Sequence, residues 1–510
     1  MGGVFLAAKT DFRCMLPNEN PENATFYLSP DIINMRYPWD NKTESWSRCE
    51  RYDNTEFADQ GGNVSRQLTV VECDSFVYDK SQYALTATTE WNLVCNKGWL
   101  RAIGDSIFMV GVMLGSMIFG GLSDRYGRRA AFFSALITQL IGGILVTVSP
   151  EYVSYMISRM IVGSTTSGVF LVAYVIALEM VGPKKRLAAG MGCQLFFTSG
   201  YILTAGLAYF FTNWRTLQVV FTIPSIVFLA YWWFIPESAR WLLTKGRVED
   251  AKDLLQNASL KNGVALTRDT LDSLINSESD TSKQDIEKAS MIDLLFVNSC
   301  TYYGLSWNTS NLGGNEFVNF GIAASVEVPA YLFLLFTLDK WGRKVILCGC
   351  MLIAGIALLL TVLVPAGMPW LVVVCAMSGK LAITSSYGAV YVVAAEQFPT
   401  ALRNIGLGAC SFSARIGGII APYINHLAEV WAPLPLVIFG SCSFLAGLLS
   451  LYLPETLNAK LPESIQDGEH FGKKKTRSPQ GVEKLKDIEV MKALTLPSKI
   501  VINEKQNTLY

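Results

Sequence analysis

Between residues 99 and 453 the chain returns ten times to apolar stretches of about twenty residues or more, the length at which a helix crosses a bilayer. They lie at 99–121, 130–149, 152–181, 188–211, 217–235, 316–338, 345–364, 370–395, 403–428 and 434–453. In hydrocarbon every backbone N–H and C=O needs a partner within its own segment, so stretches of this length must be helical. Charged residues make up only 16% of the chain, where about a quarter is usual for a soluble domain. The chain therefore reads as an all-α polytopic membrane protein.

The same composition argues against several activities. Lys plus Arg and Asp plus Glu number 42 each, so no net field recruits nucleic acid. The two histidines, His426 and His470, stand too far apart for a metal motif or a local acid–base pair. "SGKLAITSS" around Lys380 lacks the upstream glycine and the following Ser or Thr of a phosphate-binding loop. No G-x-S-x-G nucleophile elbow occurs. No enzyme activity, resident cofactor or metal is expected.

Residues 9–98 are polar and hold four of the eleven cysteines, Cys14, Cys49, Cys73 and Cys95, with glycosylation acceptors at Asn23, Asn41 and Asn63. Such a segment reads as an extracellular glycosylated loop with two disulfides, whose pairing stays open. Basic clusters, "SDRYGRR" (123–129), "PKKR" (183–186), "KGR" (245–247) and "DKWGRK" (339–344), mark the other ends of the helices. Those ends, with the loop 236–290 and the lysine-rich tail 454–510, are then cytosolic. Two helical bundles remain, 99–235 and 291–453.

The bundles repeat one another. "GLSDRYGRRA" (121–130) matches "FTLDKWGRKV" (336–345), "EMVGPKKRLAAG" (179–190) matches "EQFPTALRNIGLG" (396–408), and "IPESARWLL" (235–243) matches "LPETLNAKL" (453–461). Asp124 and Asp339, Glu179 and Glu396, Arg186 and Arg403, and Pro236 and Pro454 stand 215, 217, 217 and 218 residues apart. A near-constant offset means parallel repeats, with a substrate site expected between them near the midplane. With "TEWNLVC" (89–95), "YYGLSWNTSNLGGN" (302–315) and "FPTALRNIG" (398–406), the chain resembles the major facilitator superfamily. Within it, the match is to the organic cation, carnitine and organic anion transporters. The resemblance implies the major facilitator fold of two six-helix bundles, a plasma-membrane location, and alternating-access transport of a small organic ion.

Two places depart from that family's pattern. Residues 1–8, "MGGVFLAA", stand as a remnant where a first helix precedes the large loop. Residues 291–311, interrupted by Asn298, Ser299 and Asn308, stand where a full seventh helix belongs. The first and seventh helices are thus expected to be cut short, and a non-transporting truncated or regulatory isoform is one alternative.

An ionisable side chain at membrane depth costs a few kcal/mol and marks a pathway or a partner. Five occur inside the stretches: Asp105, Arg159, Glu327, Lys380 and Arg415. Asp105 and Arg159 lie nearer the outer ends and suit a structural pair. Glu327 lies twelve residues before Asp339, about 18 Å along a helix, and Lys380 and Arg415 are similarly deep. These three are the main substrate-binding candidates, with Tyr302, Gln194 and Phe170 beside them. An arginine forks to a carboxylate, while an acid with aromatic neighbours holds an ammonium. Alternatively, Arg415 and Glu327 simply pair with each other in one gating state. In the resembling family, cation carriers tend to have an acid where Arg415 stands, and anion or carnitine carriers a base. The expected substrate is an organic cation or a zwitterion such as carnitine; the rival reading is an organic anion exchanger, and the coupling ion stays open.

The resemblance assigns gating to Asp124, Arg125, Arg128, Arg129, Glu179 and Arg186, and to Asp339, Arg343, Glu396 and Arg403. Their charge pairs would lock one state and break on rocking; plain positive-inside anchoring is the other reading. The terminal "NTLY" could add to a sheet-edge site on a scaffold protein.

Overall fold

The computed structural model describes residues 2–17, 19–20, 24–40, 45–58, 64–181, 186–261, 290–312, 315–365, 368–397 and 403–456. Asn23, Asn41 and Asn63, residues 262–289 of the central loop, and the tail from 457 with its "NTLY" end lie outside the described residues.

The chain begins with one buried turn, α1 (Gly3–Leu6), whose Phe5 and Leu6 are covered. The segment after it folds as three antiparallel two-stranded units. β1 (Phe12–Cys14) pairs with β6 (Phe76–Tyr78), β2 (Trp39–Asp40) with β3 (Ser45–Trp46), and β4 (Glu50–Ala58) with β5 (Val64–Glu72). Two short helices, α2 (Pro30–Arg36) and α3 (Ala87–Glu90), accompany them. Disulfides join Cys14 to Cys73 and Cys49 to Cys95. Both bonds lie at the base of the β4–β5 hairpin, where the Cys73 N–H donates to the Cys49 carbonyl at 3.0 Å. Two-stranded units are marginal by themselves, and covalent ties and one buried arginine reinforce them. Arg13 forks to both oxygens of Glu19 at 2.7 Å and donates to the carbonyls of Cys14, Thr25 and Phe26.

The first bundle comprises α4 (Trp99–Tyr126), α5 (Arg128–Val148), α6 (Tyr152–Met180), α7 (Arg186–Phe210) and α8 (Trp214–Leu229). Two polar-loop helices follow, α9 (Ala239–Thr244) and α10 (Val248–Lys261). The second bundle comprises α11 (Ser290–Trp307), α12 (Glu316–Ser325), α13 (Glu327–Trp341), α14 (Arg343–Leu360), α15 (Pro369–Gln397), α16 (Arg403–His426) and α17 (Leu434–Ser450). Among the described residues, seven helical runs are long and apolar enough to cross a membrane, with α12 and α13 forming one of them. Ile137, Ile141 and Ile144 of α5, and Ile353, Ile356 and Leu360 of α14, are exposed. An apolar exterior of this kind is what lipid covers.

Close helix contacts come from small residues. A Cβ on Gly111 or Gly115 of α4 would run into the backbone of Met160 or Ser164 on α6, so only glycine lets the two helices approach this nearly. Between the bundles, α4 packs on α16, and α7 packs on α12 and α13. Ser106 donates to the Ile419 carbonyl at 2.8 Å across the first of these seams.

Residues 290–307, expected to be interrupted, form the continuous helix α11. Eighteen residues rise about 27 Å, short for a span. Its polar residues do not break it because they are partnered across helices. Ser299 donates to the Ala414 carbonyl at 2.6 Å, and Asn298 accepts from Ser386 at 2.8 Å. The seam between α12 and α13 has a local cause. Pro329 has no N–H for the carbonyl four residues earlier, so the ladder opens there, leaving Glu327 at the first turn of α13.

Candidate functional site

Glu327 lies at mid-span, at the one-residue seam between α12 and α13. Its side chain is completely buried, and contacts arrive from both bundles. Lys380 of α15 puts Nζ 3.0 Å from Oε1, and the Tyr302 hydroxyl of α11 donates to the same oxygen at 2.8 Å. Thr198 of α7, in the first bundle, donates to Oε2 at 3.3 Å. Lys380 also reaches the Ser306 hydroxyl, and its ammonium lies 4.0 Å from the centre of the Tyr302 ring and 5.7 Å from that of Tyr201. Tyr302 in turn stacks on Tyr387 at 5.1 Å. The result is a closed ion pair in which both carboxylate oxygens accept hydrogen bonds and the ammonium meets a carboxylate, a hydroxyl and a ring. Such an arrangement is what lets two charges persist away from water.

The Arg415–Glu327 pair, considered above for one gating state, is not formed in this structure. Glu327 pairs with Lys380, because α15 packs directly against α11 and α13. Arg415, on α16, faces the phenols of Tyr391, Tyr303 and Tyr387. Its Nε is buried without a hydrogen-bond partner, and no carboxylate pairs with it among the described residues. Among the described residues, this deep charge is therefore neighboured by phenols and not by an acid.

Gln194 lies one turn before Thr198 on the same face of α7 and is half-buried. Phe170 stacks on Tyr174 at 6.1 Å and meets Phe197 edge-on at 5.9 Å; the structure shows it packing on aromatic rings rather than joining the Glu327 cluster. Asp105 and Arg159 pair at 3.1 Å and border a cavity of about 160 Å³ against Gly2 and Gly3.

The charge motifs pair within each half. Arg128 bonds Asp124 at 2.7 Å and Glu179 at 3.2 Å; Arg343 bonds Asp339 at 2.9 Å and Glu396 at 3.2 Å. Arg129 donates to the Trp232 carbonyl and covers its ring at 4.5 Å, while Arg125 lies over Tyr126 at 5.3 Å. The side chains of Arg186 and Arg403 lie outside the described residues. Two functional carboxylates escaped notice although their motifs were visible. Glu237 accepts from the N–H groups of Arg128 and Arg129, and Glu455 from those of Arg343 and Lys344. Each caps the helix that starts after a positive-φ glycine, Gly127 (φ 106°) or Gly342 (φ 95°), a conformation glycine adopts without strain. The echo of "PES" in "PET" was the available signal.

Residues 69–466 match the family model of sugar (and other) transporters. The "Organic cation transporter protein" of Drosophila melanogaster is 53% identical, covering 93% of this chain and 89% of its own length. The human "Organic cation/carnitine transporter 2" is 32% identical over 96% of this chain and 91% of its own. The chain belongs to the organic cation transporter family of the major facilitator superfamily. A solved structure agrees in fold: the partially occluded, inward-open xylose transporter XylE of E. coli superposes with a TM-score of 0.57. It is 17% identical and covers 72% of this chain and 90% of that one. As a member of this family the chain is a multi-pass secondary transporter. Glu327, in the second bundle, is in contact with Thr198 of the first.

Proposed function

We propose that this transporter carries a small organic cation or a zwitterion of the carnitine type across the plasma membrane by alternating access. In this reading residues 9–98 face outward, and the central loop and tail face the cytosol. Support comes chiefly from Glu327, a buried carboxylate touched by Thr198 of one bundle and by Lys380 and Tyr302 of the other. A group bonded to both halves is remade whenever they rock. An incoming quaternary ammonium takes the place of the Lys380 ammonium over the Tyr302 ring, a cation–π exchange. Arg415, without an acid of its own, holds a substrate carboxylate in a forked geometry. The relatives' printed names, with organic cation and carnitine in them, agree with this division of labour.

A second reading has one observation in its favour. Lys380 cancels Glu327, so the charge left over is Arg415's, and this suits an organic anion exchanger. Uptake of labelled tetraethylammonium, carnitine and a small aromatic carboxylate, corrected for surface labelling, separates the readings. Saturable uptake of carnitine or tetraethylammonium supports the proposal. Uptake of the aromatic carboxylate alone moves the assignment to anion exchange. Normal surface labelling with no uptake of any of the three overturns both.

A further inference from the structure

Tyr83 belongs to the polar segment, yet it bridges the two bundles. The segment that follows it is fastened to the first bundle: the Ala84 N–H donates to the Thr212 carbonyl at 3.2 Å, and the Trp214 N–H to the Leu85 carbonyl at 3.1 Å. Nearby, Glu90 takes hydrogen bonds from Trp214 and Arg215. The Tyr83 side chain, in contrast, crosses to the second bundle and donates its hydroxyl to Glu316 Oε2 at 2.8 Å. Glu316 opens α12 and is only 7% exposed. Its other oxygen, Oε1, is buried and has no hydrogen-bond partner among the described residues. A carboxylate in such a place normally faces a cation or several donors. Here the groups around it are the Tyr83 phenol on the polar segment and the Arg101 guanidinium at the start of α4, which acts through space without a hydrogen bond. The adjoining ring cluster adds the phenols of Tyr209, beside Phe317, and Tyr201, beside Phe320. Burial and the adjacent Glu316 push the Tyr83 phenol above its ordinary value, so it remains a donor at any physiological pH.

We propose that Glu316 is a proton-binding site at the end of the transporter that carries residues 9–98. On this proposal the carboxyl is neutral while Tyr83 is docked on it, and it ionises when the bundles part at this end and water enters. Closing this end therefore takes one proton from the solution bathing the polar segment, and opening returns it. The coupling follows from linkage: a step that binds a proton is favoured as pH falls, by up to tenfold in its equilibrium constant per pH unit. The inference rests on the alternating-access reading only for its role in transport; the docking equilibrium itself exists without it.

Two measurements separate these layers. Hydrogen–deuterium exchange of the peptide containing residues 80–90, in the full chain in lipid discs, reads docking directly. After correction for intrinsic exchange, protection is expected to rise severalfold per unit as pH falls from about 8.5 to about 5.5. Glu316→Gln, which imitates the neutral acid, is expected to be protected to the same degree at every pH. Tyr83→Phe strips the ionised form of its one donor and moves the wild-type profile to higher pH, which keeps the test open should Glu316→Gln fold poorly. A flat wild-type profile, or one that Glu316→Gln retains, overturns the proposal. Uptake at matched pH on both sides of the membrane is the second measurement, and Glu316→Gln is expected to remove its pH dependence on the polar-segment side. Absence of uptake at every pH strikes the transport reading and leaves the exchange result standing.

Discussion

Lys380 Nζ lies 3.0 Å from Glu327 Oε1, and neither side chain is more than 1% exposed. Their closeness explains how two charges coexist at mid-span, and it sets their cost when separated. Removing one partner from a buried pair leaves an uncompensated charge, worth roughly 3–5 kcal/mol. Lys380→Met or Glu327→Gln alone should lower the thermal midpoint sharply in detergent. The double substitution should recover most of the loss; equal losses in single and double variants would show that the pair is not the source.

Among the described residues, Arg415 is neighboured by the phenols of Tyr391, Tyr303 and Tyr387. Arg415→Ala should reduce carnitine uptake at least tenfold while leaving tetraethylammonium uptake within about twofold, since only the former has a carboxylate to fork. Arg415→Lys should recover little, because an ammonium offers one point charge where the guanidinium offers a planar pair of donors. Equal loss for both substrates would give Arg415 a structural role.

Glu237 and Glu455 cap the helices that follow Gly127 and Gly342. Loss of an N-terminal cap costs about 0.5–2 kcal/mol. Glu237→Ala and Glu455→Ala should each lower stability by that order in a denaturation series, and the two effects should add because the sites lie in different bundles.

Glu19 supplies a pH dependence in the polar segment. Burial alone would raise its carboxyl, but the hydrogen bonds from Arg13 and the Leu16 N–H, and the charge of Arg13, outweigh this and hold it below its ordinary value of 4.5. A carboxyl depressed in the folded state stabilises fully above its ordinary value and loses that contribution as pH falls through the folded one. Exchange protection of residues 12–20 should therefore hold from pH 7 down to about 5 and decline below about 4.5. Arg13→Met should abolish the decline by weakening protection at all pH values.

The disulfides close separations of 59 and 46 residues, each worth about 4 kcal/mol by loop-closure entropy. Non-reducing peptide mapping should recover Cys14 with Cys73 and Cys49 with Cys95. Replacing either pair by serine should cost surface expression.

The organisation of this protein was set by its sequence at the level of spans, repeats and depth. Apolar length decides what can cross a bilayer, and hydropathy is a local property. The offset between Asp124 and Asp339, and the twelve residues from Glu327 to Asp339, need no third dimension. The choice of partners does. Whether Glu327 meets Lys380 or Arg415 depends on which of α15 and α16 lies against α13, and the residues themselves give no sign of it. Cysteine pairing is undetermined for the same reason, since four cysteines allow three connectivities. Asn298 and Ser299 looked like interruptions because their partners, Ser386 and Ala414, lie on helices far along the chain. Nothing local marks Glu316, a glutamate at a helix start, as buried, because the Tyr83 that covers it is 233 residues away. Each of these outcomes turns on contacts between distant segments, and burial converts such contacts from incidental to decisive, because inside the bundle a polar group without a partner has no water to turn to.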